Sequence, residues 1–341
     1  MAMPSTLEPE LLRIVQAIAF PAPGMVVLAG RGAPAAAAGP MPGAIPAANP
    51  VVAQLQHLLY DWCYCRRFDG ALPDPPSAPM ADPQFLDALS AANKSRERWD
   101  AGWRIQQVLP GGQIAAVKGA MTRMVWPGEF LAHGPPGLPP SPGAEISLFA
   151  PKESRTMQPG FYFTFGEALG DQEEEMSLVR FYWHVRAEGA ATLLAAATQP
   201  LNRFAIPFRL KCLSMPQLYG RSDPAILYVA KRYYRIVAEL LPTVHRTVRP
   251  FMEDTIPLFS KRLAGGLGFA ENPKSGESFG MSRCRLTAEA VCDAHARGID
   301  AADARLSAIA AAFAAAGLSL DHPFLNPGSV DRYEFAEGPA G

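Results

Sequence analysis

Only five of the 341 residues are cysteine, an odd number scattered through apolar runs as Cys63, Cys65, Cys212, Cys284 and Cys292. This argues against a disulfide framework, and the Cys63/Cys65 pair has no second half with which to build a zinc site. Buried free thiols are the expectation. No run approaches the roughly 18 uninterrupted apolar residues of a membrane span. The opening MAMPSTLEPELL also lacks the basic-then-apolar order of a signal peptide. A cytoplasmic protein without membrane contact is therefore expected. Neither sign of charge is in surplus: 31 basic and 32 acidic residues leave a formal net charge of −1. That speaks against a general nucleic-acid binder. The chain has no GxSxG, HExxH or CxxC and no internal repeat, so the commoner hydrolase, zinc-protease and zinc-ribbon readings fall away.

What is present is core-forming material, 49% hydrophobic residues, enough for one large core or two moderate ones. Residues 1–100 read as a helical N-terminal region: an amphipathic stretch at 7–20, another at 51–68, and DPQFLDALSAA with Asp82 as N-cap before Pro83. A linker rich in Ala, Pro and Gly at 21–50 interrupts it, with too little to bury to form a core element. From Trp103 the period changes to two. The runs GWRIQQVLP, GQIAAVKGAM, TRMVWPG, EISLFAP and GFYFTFGE read as an antiparallel meander broken by the proline-rich loop GPPGLPPSPG. There follow a strand at 177–185, an alanine-rich helix, a second strand at 205–213, a helix over SDPAILYVAKRYYRIVAELLP, one more strand in IPLFSKRL, a glycine-rich loop AGGLGFAENPKSGESFG, and two closing helices at 281–297 and 300–315. The predicted fold is α+β: a mixed, largely antiparallel sheet flanked by helices, with a domain at 101–330 and a tail at 331–341.

The strand RFYWHVR puts Arg180, Tyr182, His184 and Arg186 on one side and Phe181, Trp183 and Val185 on the other. AIPFRLKCL repeats the alternation, with Arg209 and Lys211 opposite Phe208, Leu210 and Cys212. A charged strand face is ordinarily a solvated one. If the two strands are neighbours, however, their cations surround a common cleft, and like charges gathered there call for an anion such as phosphate or carboxylate. Arginine supplies a planar fork for phosphate oxygens, and lysine a base once desolvated. Those groups suit removal of a Cα proton from a phosphorylated serine or threonine followed by β-elimination of phosphate. Other motifs fail. IAAVKG resembles the lysine strand of protein kinases, but no HRD, DFG or phosphate-covering loop follows, and GGLGFAENPKSG is not a P-loop.

The segments RFYWHV, LNRFAIPFRLKCLS, YGRSDPAILYV, PLFSKRLAGGLGFAENP and SFGMSRCRLTAEAV, in this order, resemble the lyase component of class V lanthipeptide and thioamitide biosynthesis. That family is related to a type III secreted Hop effector of plant-pathogenic bacteria. The similarity runs from about residue 103 to 290. It implies a stand-alone phosphoserine/phosphothreonine lyase that works beside a separate kinase on a precursor peptide with leader and core, and needs no metal or organic cofactor. Within the matching segments, Arg180, Tyr182, His184, Lys211, Tyr219, Arg221, Asp223, Lys261, Arg283 and Arg285 have suitable chemistry. Lys211 is the expected base and His184 or Tyr182 the acid or donor. The phosphate-binding set is drawn from Arg180, Arg209, Arg221, Lys261, Arg283, Arg285 and Lys118. The phosphothreonine lyases of animal pathogens use a lysine base and a histidine acid, an analogy of chemistry alone. The alternative is a non-catalytic, effector-like module that binds a phosphopeptide or a kinase.

Overall fold

A computed structural model of the chain describes residues 7–33, 49–73, 80–135 and 137–335. Helix α1 (Leu7–Gln16) buries Leu11, Ile14 and Val15 along one side, the periodicity read from its sequence. The chain then turns into three two-residue strands, β1 (Ile18–Ala19), β2 (Val27–Leu28) and β3 (Arg31–Gly32). Val26 and Leu28 are buried. The first part of the predicted linker is thus ordered, because two apolar side chains between tight glycine turns find the main core. Residues 34–48 of that linker lie outside the described residues. Helix α2 (Pro50–Leu59) is capped by Asn49, whose Oδ1 accepts from the Val51 amide at 2.9 Å, and continues as a π-turn through Tyr60–Tyr64. In α3 (Pro83–Ala92) Asp82 is the N-cap, accepting from the Phe85 amide, with Pro83 in the first turn.

Two antiparallel sheets follow. The strands β4 (Arg98–Val108), β5 (Ile114–Lys118), β6 (Met121–Val125), β7 (Phe130–Ala132) and β8 (Glu145–Ala150) form a five-stranded sheet in the order β6-β5-β4-β8-β7. It takes up four of the five runs of the predicted meander, but β8 returns beside β4 so that β6 and β7 lie on opposite edges. The fifth run, GFYFTFGE, pairs with β12 and β9 in the larger sheet instead. The small sheet keeps a core of its own around Trp103, Ile105, Ile114, Ile146 and Leu148.

The larger sheet has seven strands among the described residues, ordered β14-β15-β11-β13-β12-β10-β9. They are β9 (Glu153–Ser154), β10 (Phe161–Phe165), β11 (Leu178–Trp183), β12 (Phe208–Leu213), β13 (Ala225–Ala230), β14 (Lys261–Ala264) and β15 (Leu267–Glu271). Helices α4 (Ala190–Arg203) and α5 (Tyr234–Val248) cover one face, where Phe181 stacks on Tyr234. Helices α2 and α6 (Phe279–Ala296) meet part of the other, where Tyr182 contacts Tyr64 and Phe279, and α7 (Ala302–Ala315) backs α6.

Two sequence expectations are corrected here. The stretch AILYVA is not helical: it is β13, the centre of the large sheet, with all six residues buried. A strand covered on both faces shows no alternation, so its apolar run cannot be told from a buried helix by period alone. Ser222 and Asp223 accordingly cap nothing; the Ser222 hydroxyl donates to the Tyr64 carbonyl, and Asp223 pairs with Arg221. The glycine-rich stretch contains β15, also buried throughout, where Gly268 leaves room for Ser260 and Ile256 to approach the strand.

Between β14 and β15, Gly266 has φ +70°, and a Cβ there would stand 2.1 Å from the Glu253 carbonyl oxygen. Its own carbonyl accepts from the His184 amide. Gly266→Ala combines left-handed strain with an unavoidable clash and is expected to destabilise the protein by about 2–4 kcal/mol. A denaturant midpoint unchanged from wild type would refute this.

Candidate functional site

The antiparallel register lines up three side chains across the middle of the large sheet. Arg180 on β11 is opposite Tyr228 on β13, which is opposite Arg209 on β12. One step along, Tyr182, Ile226 and Lys211 form a second row on the same face. The strands β11 and β12 are therefore not neighbours, as the sequence reading supposed. The strand β13 lies between them, and its tyrosine fills the gap between the cations.

Around the Tyr228 ring the Arg209 guanidinium carbon is 4.9 Å from the centroid, that of Arg180 5.2 Å and the Lys211 Nζ 6.0 Å. None of the three forms an ion pair among the described residues. Arg180 donates to the Asn272 Oδ1 at 2.7 Å. Lys211 lies 4.2 Å from the Phe161 ring centroid, reaches the Gln158 amide oxygen at 3.5 Å, and interacts with the Tyr228 hydroxyl and with the charge of Asp223. Among the described residues the Arg209 Nε is buried without a partner, and the buried Tyr182 hydroxyl lies beside Arg180 and Tyr64. Burial pushes Tyr182 up to about 12, against the pull of Arg180. For Tyr228 burial also pushes upward, but the charges of Lys211, Arg180 and Arg209 outweigh it and bring the phenol below its ordinary value.

The other nominated cations are sorted away from this cluster by their partners. Lys118 donates to Asp100 and the Ala101 carbonyl inside the small sheet. Lys261 is held by both oxygens of Asp331 and by the Tyr333 carbonyl. Arg285 is shared between Glu277 and Glu289. Arg221 forms a two-point pair with Asp223 and touches the Tyr60 hydroxyl. Arg186 is exposed and paired with Glu188 and Glu253. Arg283 forms no ion pair among the described residues and donates to the Pro323 and Leu325 carbonyls and the Ser282 hydroxyl; burial draws it down to about 10. It anchors the C-terminal segment and adds positive field beside Arg180. Tyr219 donates to the Leu213 carbonyl and is a core residue.

His184 shares the face of Tyr182 but lies four residues from Arg180 along the strand, about 13 Å. Its Nδ1 is 3.1 Å from the Thr255 carbonyl oxygen and 2.6 Å from that residue's hydroxyl, and burial lowers its pKa. The predicted site thus contracts to Arg180, Arg209, Lys211 and Tyr182. Sequence reasoning missed Tyr228 and Asn272. Tyr228 was hidden by the helical reading of its strand, although Pro224 followed by a β-branched and aromatic run bounded by Lys231 and Arg232 is also a strand signal.

Arg209 and Tyr228 line a cleft of about 680 Å³ between the two sheets, walled by Met124, Phe149, Met157 and Phe165. Among the described residues no group of His, Cys, Asp or Glu is placed to hold a metal ion, and no helix is long and apolar enough to cross a membrane. All five cysteines are buried free thiols, as expected.

Fold and site together define an α+β protein whose main sheet presents a cationic face built around a tyrosine, its three cations forming no ion pair among the described residues. The chain belongs to the HopA1 effector protein family, whose model matches residues 152–325, just over half of its length. This bears out the Hop-effector side of the resemblance. No curated protein matches the sequence. Two effector structures are among the solved structures similar to this chain. The effector protein from Pseudomonas syringae pv. tomato strain DC3000 has 20% identity over 74% of this chain and 86% of its own, with a TM-score of 0.41. The effector from Pseudomonas syringae pv. syringae strain 61 has 15% identity over the same shares, with a TM-score of 0.40.

Proposed function

We propose that this chain is a phosphoserine/phosphothreonine lyase. It eliminates phosphate from a precursor peptide phosphorylated by a separate kinase, leaving dehydroalanine or dehydrobutyrine, as in lanthipeptide and thioamitide maturation. The observation that carries the reading is the convergence of Arg180, Arg209 and Lys211 on Tyr228 with none of them in an ion pair among the described residues. Grouped, partly buried cations repel and are stabilised by an anion, and Arg209 opens onto a cleft large enough for a peptide side chain. In this scheme the arginines hold the phosphate, Lys211 takes the Cα proton, and the Cβ–O bond breaks with its electron pair leaving on phosphate. The reaction is redox-neutral and needs no electron carrier.

Membership of an effector family favours a second reading, a module that docks a phosphopeptide or a kinase without turning it over. One experiment separates them. The protein is incubated with a phosphothreonine peptide carrying its leader, without ATP, and mass spectrometry follows loss of phosphoric acid. A product that traps an added thiol is the expected result. Saturable binding with no mass change would replace the lyase by the docking module.

A further inference from the structure

Elimination places charge on the departing phosphate, so an acid beside the clamp completes the reaction, and neither group nominated from the sequence is well set for it. His184 is tied to Thr255 further along the strand. Tyr182 is fully buried. Resting on the lyase reading above, we infer that Tyr228 is the catalytic acid, donating its phenolic proton to the phosphate that Arg180 and Arg209 hold.

The geometry supports this in three ways. Tyr228 lies between the two arginines in the register, so a phosphate bridging them lies over its ring edge. It lines the cleft beside Arg209. Its phenolate, once formed, is surrounded by three cations within 6.0 Å of the ring. The charged and titratable groups facing it are Arg180 and Tyr182 from β11 and Arg209 and Lys211 from β12; Asp223, ahead of β13, interacts with Lys211 but is paired with Arg221. Across the cleft are Arg123 from β6, Glu129 from the turn before β7, Glu153 from β9, and Asp171 and Glu174 from the acidic turn before β11. Those acids are engaged elsewhere. Glu174 pairs with Arg232, Glu153 accepts from Ser90 and Tyr162, Asp171 accepts from the Glu173 amide, and Glu129 from the Trp126 amide. The cations dominate, and Tyr228 ionises more readily than an ordinary tyrosine, whereas burial pushes Tyr60, Tyr64, Tyr182 and Tyr219 the other way.

The protons balance through Lys211. Its amine takes the Cα proton and becomes an ammonium. The Cβ–O electron pair leaves on phosphate, Tyr228 protonates the ester oxygen, and the Lys211 ammonium returns a proton to the phenolate. The products are the dehydroamino acid and hydrogen phosphate, and the site is reset.

The test compares wild type, Tyr228→Phe and a variant carrying fluorotyrosine at 228. Ultraviolet titration of wild type is expected to show one tyrosine ionising below the ordinary tyrosine range, a step absent from Tyr228→Phe. With the phosphothreonine peptide, Tyr228→Phe is expected to keep its KM while kcat falls by about tenfold to a hundredfold. The fluorinated side chain should restore turnover and move the alkaline limb of the kcat profile to lower pH, because a more acidic phenol loses its proton sooner. A wild-type titration without the early step overturns the inference, as does an active wild type matched by Tyr228→Phe. An inactive wild type that still shows the early step removes the lyase reading itself and the acid role with it.

Discussion

Lys211→Ala is expected to lower elimination by on the order of 10³-fold or more while leaving the fold intact. Lys211 contributes little to stability. It is half-buried, its ammonium has no ion pair among the described residues, and its contact with the Gln158 amide oxygen spans 3.5 Å. Its position is what matters, two residues from Arg209 on the same strand face and alongside Tyr228. Lys261→Ala is the control. Lys261 is the other lysine in the family-matched region that the sequence nominated, but it is bound by Asp331 and the Tyr333 carbonyl, so its removal should lower the melting temperature and spare turnover. Single-turnover rates and thermal melts of both variants decide the matter. If Lys211→Ala eliminated at the wild-type rate, Lys211 would not be the base.

The largest expected loss of stability is that of Glu271→Ala. Glu271 is 2% exposed and accepts from Lys231, from the Tyr333 hydroxyl and from the Asn326 amide. Lys231 follows β13 while Asn326 and Tyr333 belong to the C-terminal segment, so the carboxylate clamps that segment to the end of β15. Removing it leaves Lys231 and Tyr333 without their acceptor and should cost about 3–5 kcal/mol. Burial pushes the Glu271 pKa up, but the donors outweigh it and hold it below its ordinary value of 4.5. A carboxylate depressed by folding contributes fully above its unfolded pKa and loses that contribution as pH falls through the folded value. Wild-type stability should therefore drop on acidification below about pH 4.5, and Glu271→Gln should flatten that drop. Melting temperatures across pH 2–7 with identical acid slopes for both proteins would contradict the assignment. Asn272, next in the chain, holds Arg180, so loosening this clamp also reaches the cationic face.

Much of the architecture was legible because the signals were local. Asp82 before Pro83 starts α3, and the period-two runs after Trp103 are strands, the first four in the small sheet and GFYFTFGE in the large one. The split of RFYWHV into polar and apolar sides was correct, since Phe181 packs under α5 while Arg180 and Tyr182 face the other way. Where both faces of a strand are covered, local pattern failed, as for AILYVA and the buried β15. The order of strands was also out of reach, because β11 and β12 flank a strand that the chain supplies only after both.

By itself the sequence determined the α+β class, the free buried cysteines and the pairing of arginine and lysine on two strand faces, since each follows from composition or from a period of two along a single segment. Only the tertiary structure decided which cations are available to a ligand. Lys261 meets Asp331 from 70 positions away, and Tyr228 enters between Arg180 and Arg209 because three strands pair in one register. Charge is written into each residue; whether that charge is already compensated depends on what the folded chain brings against it.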